Sequence, residues 1–140
     1  MYLLIVMFLG CRAGQDSNRV CLGERCFNVE LAETVAERTQ GLKYRKSLPE
    51  DRGMLFIFTE SARYSFWMKD TLIPLDIIWL DYNKRIVHIE YNVPPCNNQP
   101  TCRSYAPDKN ALYVLEINAG KAKELGMSEG MQLNFQLNNF

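Results

Sequence analysis

The sequence predicts a mainly β, α+β fold: a single compact domain built on an antiparallel, partly closed barrel-like sheet with two short helices. Three observations carry this reading. The chain has 140 residues, 47% hydrophobic and 23% charged, which suits one domain around one core. About seven runs of strand length, apolar or alternating, recur along it, separated by turn-forming residues. Most connections between them are short, which favours antiparallel neighbours.

The elements follow in order. Tyr2 to Leu9 is wholly apolar and ends in Leu9-Gly10-Cys11. It has the length of a signal-peptide core and is too short for a spanning helix, which needs roughly 20 apolar residues. Leu9-Gly10-Cys11 resembles a bacterial lipobox, in which the Cys is lipidated and becomes the new N-terminus. Phe8 and the lack of a basic residue before the run depart from that pattern. The competing reading is a buried N-terminal strand ending in a free Cys. On the export reading, residues 1–10 are a signal peptide, 11–20 a polar tether and 21–140 the domain. The protein is then an envelope lipoprotein held to the membrane through Cys11.

Cys26 to Ala32 alternates and reads as a strand. Thr34-Val-Ala-Glu37 is a capping box that opens a short helix to Gln40, and Gly41 stops it. Pro49 to Gly53 is a turn. Met54 to Phe58 is a continuous apolar run, a strand buried on both faces. Tyr64 to Met68 and Leu75 to Leu80 are further strands. Asp81 to Lys84 turns the chain into Arg85 to Tyr91 as a hairpin. Val93 to Pro107 is a long, proline-rich loop; such loops are usually functional or stapled. Ala111 to Ile117 is a strand, Ala119 to Leu125 a short helix stopped by Gly126, and Gln132 to Leu137 a half-exposed final strand.

With Cys11 given to lipid, four cysteines remain, in two tight pairs: Cys21 with Cys26, and Cys96 with Cys102. Each pair brackets turn-forming residues and could close a short loop as a disulfide in an oxidising compartment. The alternative is a four-thiolate zinc site, whose paired ligands favour intervals of about two to four residues.

Four stretches carry a family likeness: Arg38-Thr-Gln-Gly-Leu42 with Arg45, Gly53-Met-Leu-Phe-Ile-Phe58, Phe66-Trp-Met-Lys-Asp-Thr-Leu-Ile-Pro-Leu-Asp76, and Tyr113-Val-Leu-Glu116 with Gly120. From about Val29 to Phe135 the chain resembles the bacterial and archaeal family called domain of unknown function 192. Asp70 stands where that family commonly has Asn. The resemblance implies a fold and, through the signal peptides often found in the family, a place; it implies no activity.

Chemistry is constrained mainly by what the chain lacks. Lys plus Arg equals Asp plus Glu, so the basic excess expected of a nucleic-acid binder is missing. The single histidine, His88, lies mid-strand and supports neither a metal centre nor a His-dependent triad. No phosphate loop is present, and neither cofactor nor metal is expected. The candidates are charged residues inside apolar strands, Asp76 and Glu116, with Arg38 and Arg45 near the first helix. Either the carboxylates pair with these arginines or with backbone amides and fix the fold, or they line a cleft. Arg45 is the first-choice partner for Asp76, because guanidinium binds carboxylate bidentately. Trp67 and Met68 precede a polar turn and suit either a core lid or the floor of a groove. Three functions remain: a non-catalytic binding module for an envelope glycan, peptide or protein, which is preferred; a glycan-cleaving enzyme using Asp76 and Glu116, with carboxyls roughly 5–9.5 Å apart; or a purely structural lipoprotein domain. No residue is assigned as catalytic.

Overall fold

The computed structural model describes residues 17–97 and 99–138. The expected signal peptide and the lipidation site Cys11 lie outside the described residues. Among the described residues the strands are β1 Arg19–Leu22, β2 Arg25–Ala32, β3 Arg52–Ala62, β4 Phe66–Trp67, β5 Leu75–Leu80, β6 Ile86–Val93, β7 Ser104–Tyr105, β8 Ala111–Asn118 and β9 Asn134–Gln136. The helices are α1 Val35–Gln40 and α2 Lys121–Glu124. β1 takes in Arg19 and Val20, which the sequence reading gave to the tether; Val20 is a core residue, 1% exposed.

Seven strands form one sheet in the order β6-β5-β8-β3-β2-β1-β9, and β4 pairs with β7 in a separate ribbon. The sheet is mixed rather than antiparallel, because β2 and β3 run parallel. A parallel pair needs a crossover connection, and the segment carrying α1 supplies it. The capping box that starts α1 is present, with Thr34 accepting from the Glu37 amide and the Glu37 carboxylate accepting from the Thr34 amide. The sheet is not closed. It curls until a single bridge, Arg85 to Gln132, links the segments leading into its two edge strands.

Two apolar clusters result, one on each face. The inner cluster includes Val20, Leu55, Ile78, Leu80, Leu115 and Ile117 and is plugged by Ala122 of α2 and by Met127. The outer cluster includes Met54, Phe56, Ile77, Trp79 and Val114, covered by Leu42, Met68 and Ile73. β5 is buried at every position, Asp76 included, because both faces of the strand are covered. The stretch expected as a strand from Tyr64 to Met68 shrinks to Phe66–Trp67. Its sole strand partner is the equally short β7.

Both cysteine pairs are disulfides: Cys21–Cys26 joins directly opposed positions of the β1–β2 hairpin, and Cys96–Cys102 closes the proline-rich loop. The zinc alternative is thereby overturned.

Candidate functional site

The sequence-derived residues separate into a structural group and a cavity. Asp76 is fully buried on β5. Its carboxylate accepts from the backbone amide of Asn92 at 2.9 Å and from that of Ala122 at 2.8 Å. Ala122 lies in the first turn of α2, whose leading amides have no partner within the helix. Gly120, the residue before that turn, has no side chain to offer them. A carboxylate from a neighbouring strand therefore does the capping, and Asp76 pins α2 over the inner cluster.

The expected Asp76–Arg45 pair is not formed. Arg45 instead clasps Glu30 with both guanidinium nitrogens, Nη1 to Oε2 and Nη2 to Oε1 at 3.1 Å. That hydrogen bond holds the Glu30 carboxyl below its ordinary range. The pair sits at the surface, its side chains 36% and 49% exposed. Asp76 satisfied its charge with backbone amides, which left Arg45 to find a carboxylate outside. Met68 is a core residue, 2% exposed, so the lid reading holds for it and the groove reading does not.

Asp76 and Glu116 are not brought together. Asp76 opposes Ile117, and Ile77 opposes Glu116. Directly opposed residues share a face and successive residues alternate. The two carboxylates therefore point to opposite sides of the sheet, and the paired-carboxylate glycan-cleaving site does not exist.

Glu116 faces outward, 5% exposed, in the middle of β8. It lines a cavity of about 310 Å³ with Arg38, Gly41, Lys43, Phe56, Phe58, Tyr64, Phe66, Trp67 and Thr71. Burial pushes its carboxyl up to about 8, with no hydrogen bond or neighbouring charge opposing the shift. Glu116 is thus protonated at neutral pH, an O–H donor facing open space.

The walls are aromatic. Phe66 packs edge-on against Phe56 at 4.9 Å between centroids and against Trp79 at 5.8 Å. Phe58 stacks on Tyr64 at 3.5 Å. Arg38 lies 4.9 Å over the Phe58 ring and donates through Nη1 to the carbonyls of Glu33 and Ile57. This holds the guanidinium flat against the aromatic wall and gives it no carboxylate partner among the described residues. Gly41 has φ +49°, and a Cβ there would meet the Phe56 ring at 3.3 Å. The chain reversal after α1 is therefore glycine-dependent and seats directly on the cavity wall.

Arg38, Trp67 and Glu116 are the sequence-derived candidates that converge here. Gly41, Lys43, Phe56, Phe58, Tyr64, Phe66 and Thr71 were missed. A signal existed for four of them: Phe56 and Phe58, then Tyr64 and Phe66, are spaced by two, which places each pair on one face of an extended chain. Treating Met54 to Phe58 as a uniformly buried run concealed it. His88 sits against the Trp79 ring at 5.4 Å and bonds Glu90 Oε1 at 3.0 Å, a packed residue as the sequence suggested.

Comparison with known proteins follows this geometry. The DUF192 family model, described as Uncharacterized ACR, matches residues 19–135. A UPF0127 protein of Thermococcus kodakarensis is 30% identical over 104 residues, 73% of this chain and 60% of that protein. The chain thus spans about 60% of the length of the curated relatives it matches. A Novosphingobium aromaticivorans protein of unknown function superposes with TM-score 0.72 at 34% identity, covering 84% of this chain and 83% of that one. A Sinorhizobium meliloti protein, described only provisionally as a transcription regulator, gives TM-score 0.73 at 35% identity over 84% and 91% of the two chains.

Proposed function

The chain belongs to the DUF192 family, and from its cavity we propose a non-catalytic binding module of the cell envelope that takes a sugar unit of a glycan. One observation carries the reading: Glu116, 5% exposed and with no hydrogen-bond or ion-pair partner for its side chain among the described residues, lines a cavity with aromatic walls. No fully buried side-chain oxygen or nitrogen among the described residues lacks a partner, so the unpaired carboxyl opens to the cavity, where a ligand can bond it. The cavity has the size of small-molecule sites.

The chemistry of the lining narrows the class. Arg38 and Lys43 carry the cavity's charge while Glu116 is neutral, so an ammonium ligand is repelled despite the aromatic rings. A pyranose offers an apolar C–H face to Trp67 or Phe66 and hydroxyls to Glu116, Arg38, Lys43 and Thr71. Catalysis is not part of the reading, since among the described residues no second carboxylate lines the cavity beside Glu116. The envelope assignment draws support from Leu9-Gly10-Cys11 and from two disulfides, which belong in oxidising surroundings.

Calorimetric titration with glucose and N-acetylglucosamine tests the site. Binding is expected, with Glu116→Gln weakening it and Trp67→Ala removing it. Silence of the wild-type protein toward both sugars refutes the class. Placement is tested apart from this: Cys11→Ser is expected to leave the membrane fraction and lose palmitate labelling, and labelling that persists excludes Cys11 as the anchor.

A further inference from the structure

Trp67 borders two cavities. The same indole, 48% exposed, lines a second cavity of about 440 Å³ whose far wall is the loop closed by Cys96–Cys102. Lys69 Nζ lies 5.4 Å over the Trp67 ring, and Asp70, Gln99 and Thr101 complete the lining. We propose that this second cavity is an adjoining subsite, so that the protein binds a chain of sugar units running across Trp67. One unit sits on Glu116 and the next lies against the disulfide-closed loop. The proposal rests on the saccharide reading above.

The lining matches that class of ligand. Lys69 donates, Asp70 accepts, and Gln99 and Thr101 do both, which suits a ring of hydroxyls that are each donor and acceptor. An exposed indole shared by two cavities offers apolar surface to a sugar ring in each. An extended peptide would dock by adding a strand to an open sheet edge. The open edges of the main sheet, β6 and β9, do not contribute to this cavity, and β4, which supplies Trp67, is a two-residue edge too short for strand addition. The Cys96–Cys102 bond holds the two ends of the lining segment together before binding, which lowers the ordering cost of the second subsite.

Titration of the purified chain with glucose and N-acetylglucosamine, each as monomer and as β-1,4-linked tetramer, tests the proposal. The tetramer is expected to bind at least about tenfold more tightly than the monomer. The double variant Lys69→Ala/Gln99→Ala, both surface positions, is expected to lose that gain and keep the monomer affinity. Equal affinities for monomer and tetramer, or a gain that survives the double variant, overturn the second subsite and leave the Glu116 site standing. Failure of every sugar to bind overturns the saccharide reading and this extension with it.

Discussion

Glu116 makes a measurable demand on the fold. Its carboxyl has an ordinary value of 4.5 and is pushed up to about 8 by burial. Between these values the folded chain keeps a proton that the unfolded chain has released. Stability must therefore fall as pH rises through the window, by roughly 1.4 kcal/mol per pH unit from this group alone. Glu116→Gln keeps the shape and removes the titration, so chemical denaturation across this pH range should show a flatter profile for the variant. Parallel profiles would mean that Glu116 ionises normally. Asp76 and Arg45 give the complementary contrast. Asp76→Asn leaves one buried amide facing an NH₂ group instead of an oxygen, expected to cost on the order of 3 kcal/mol. Arg45→Gln breaks a surface pair and should cost less than about 1 kcal/mol. Thermal unfolding of the two variants reads the difference directly, and equal losses would contradict the assigned roles.

Each element is held by a local device whose removal has a stated effect. Thr34→Ala removes the cap of α1 and should cost about 1 kcal/mol in unfolding free energy. Gly53 sits where β3 passes β8 so closely that a Cβ would lie 2.6 Å from the Glu116 carbonyl oxygen. Gly53→Ala must spread two central strands and is expected to abolish soluble expression, whereas Gly23→Ala, in open space at a turn with φ +59°, should cost far less. The elements that were legible in the sequence are those whose signal is local. The α1 capping box, the continuous apolar run Met54 to Phe58 of β3 and the alternating β2 each declare themselves within a few residues. The parallel pairing of β2 with β3 and the pairing of β1 with β9 depend on partners far along the chain and leave no local trace. The same holds for the site. Glu116 stood out as a charge in an apolar strand, but whether it faced Asp76 or the aromatic cavity depended on a one-residue register between β5 and β8. The choice of Arg45 for Asp76 failed because two backbone amides, of Asn92 on β6 and Ala122 in α2, invisible as a charge in the sequence, competed for the carboxylate.

At the scale of the whole molecule, the two disulfides tie down parts that little else holds. Cys21–Cys26 staples the hairpin whose outer strand leads to the sheet edge, and Cys96–Cys102 fixes the loop beside Trp67. Closing such short loops contributes roughly 2 kcal/mol each. Reduced protein should melt at a lower temperature than oxidised protein, and mass spectrometry of the purified protein should find four of the cysteines paired. Four free thiols there, or bound zinc, would count against both bridges.

The pairing of β1 with β9 sets Arg19 against Gln136, the first strand beside the last. A chain emerging residue by residue, from a ribosome or through a translocation pore, can form the β1–β2 hairpin early. The outer flank of that hairpin must then wait, its amides and carbonyls unclaimed, until residues 134–136 have arrived. Such a flank is a template for other chains. The final strand thus acts as a seal on biogenesis. A chain ending at Met131 is expected to assemble into concentration-dependent oligomers by light scattering, while the intact chain stays dispersed under the same conditions.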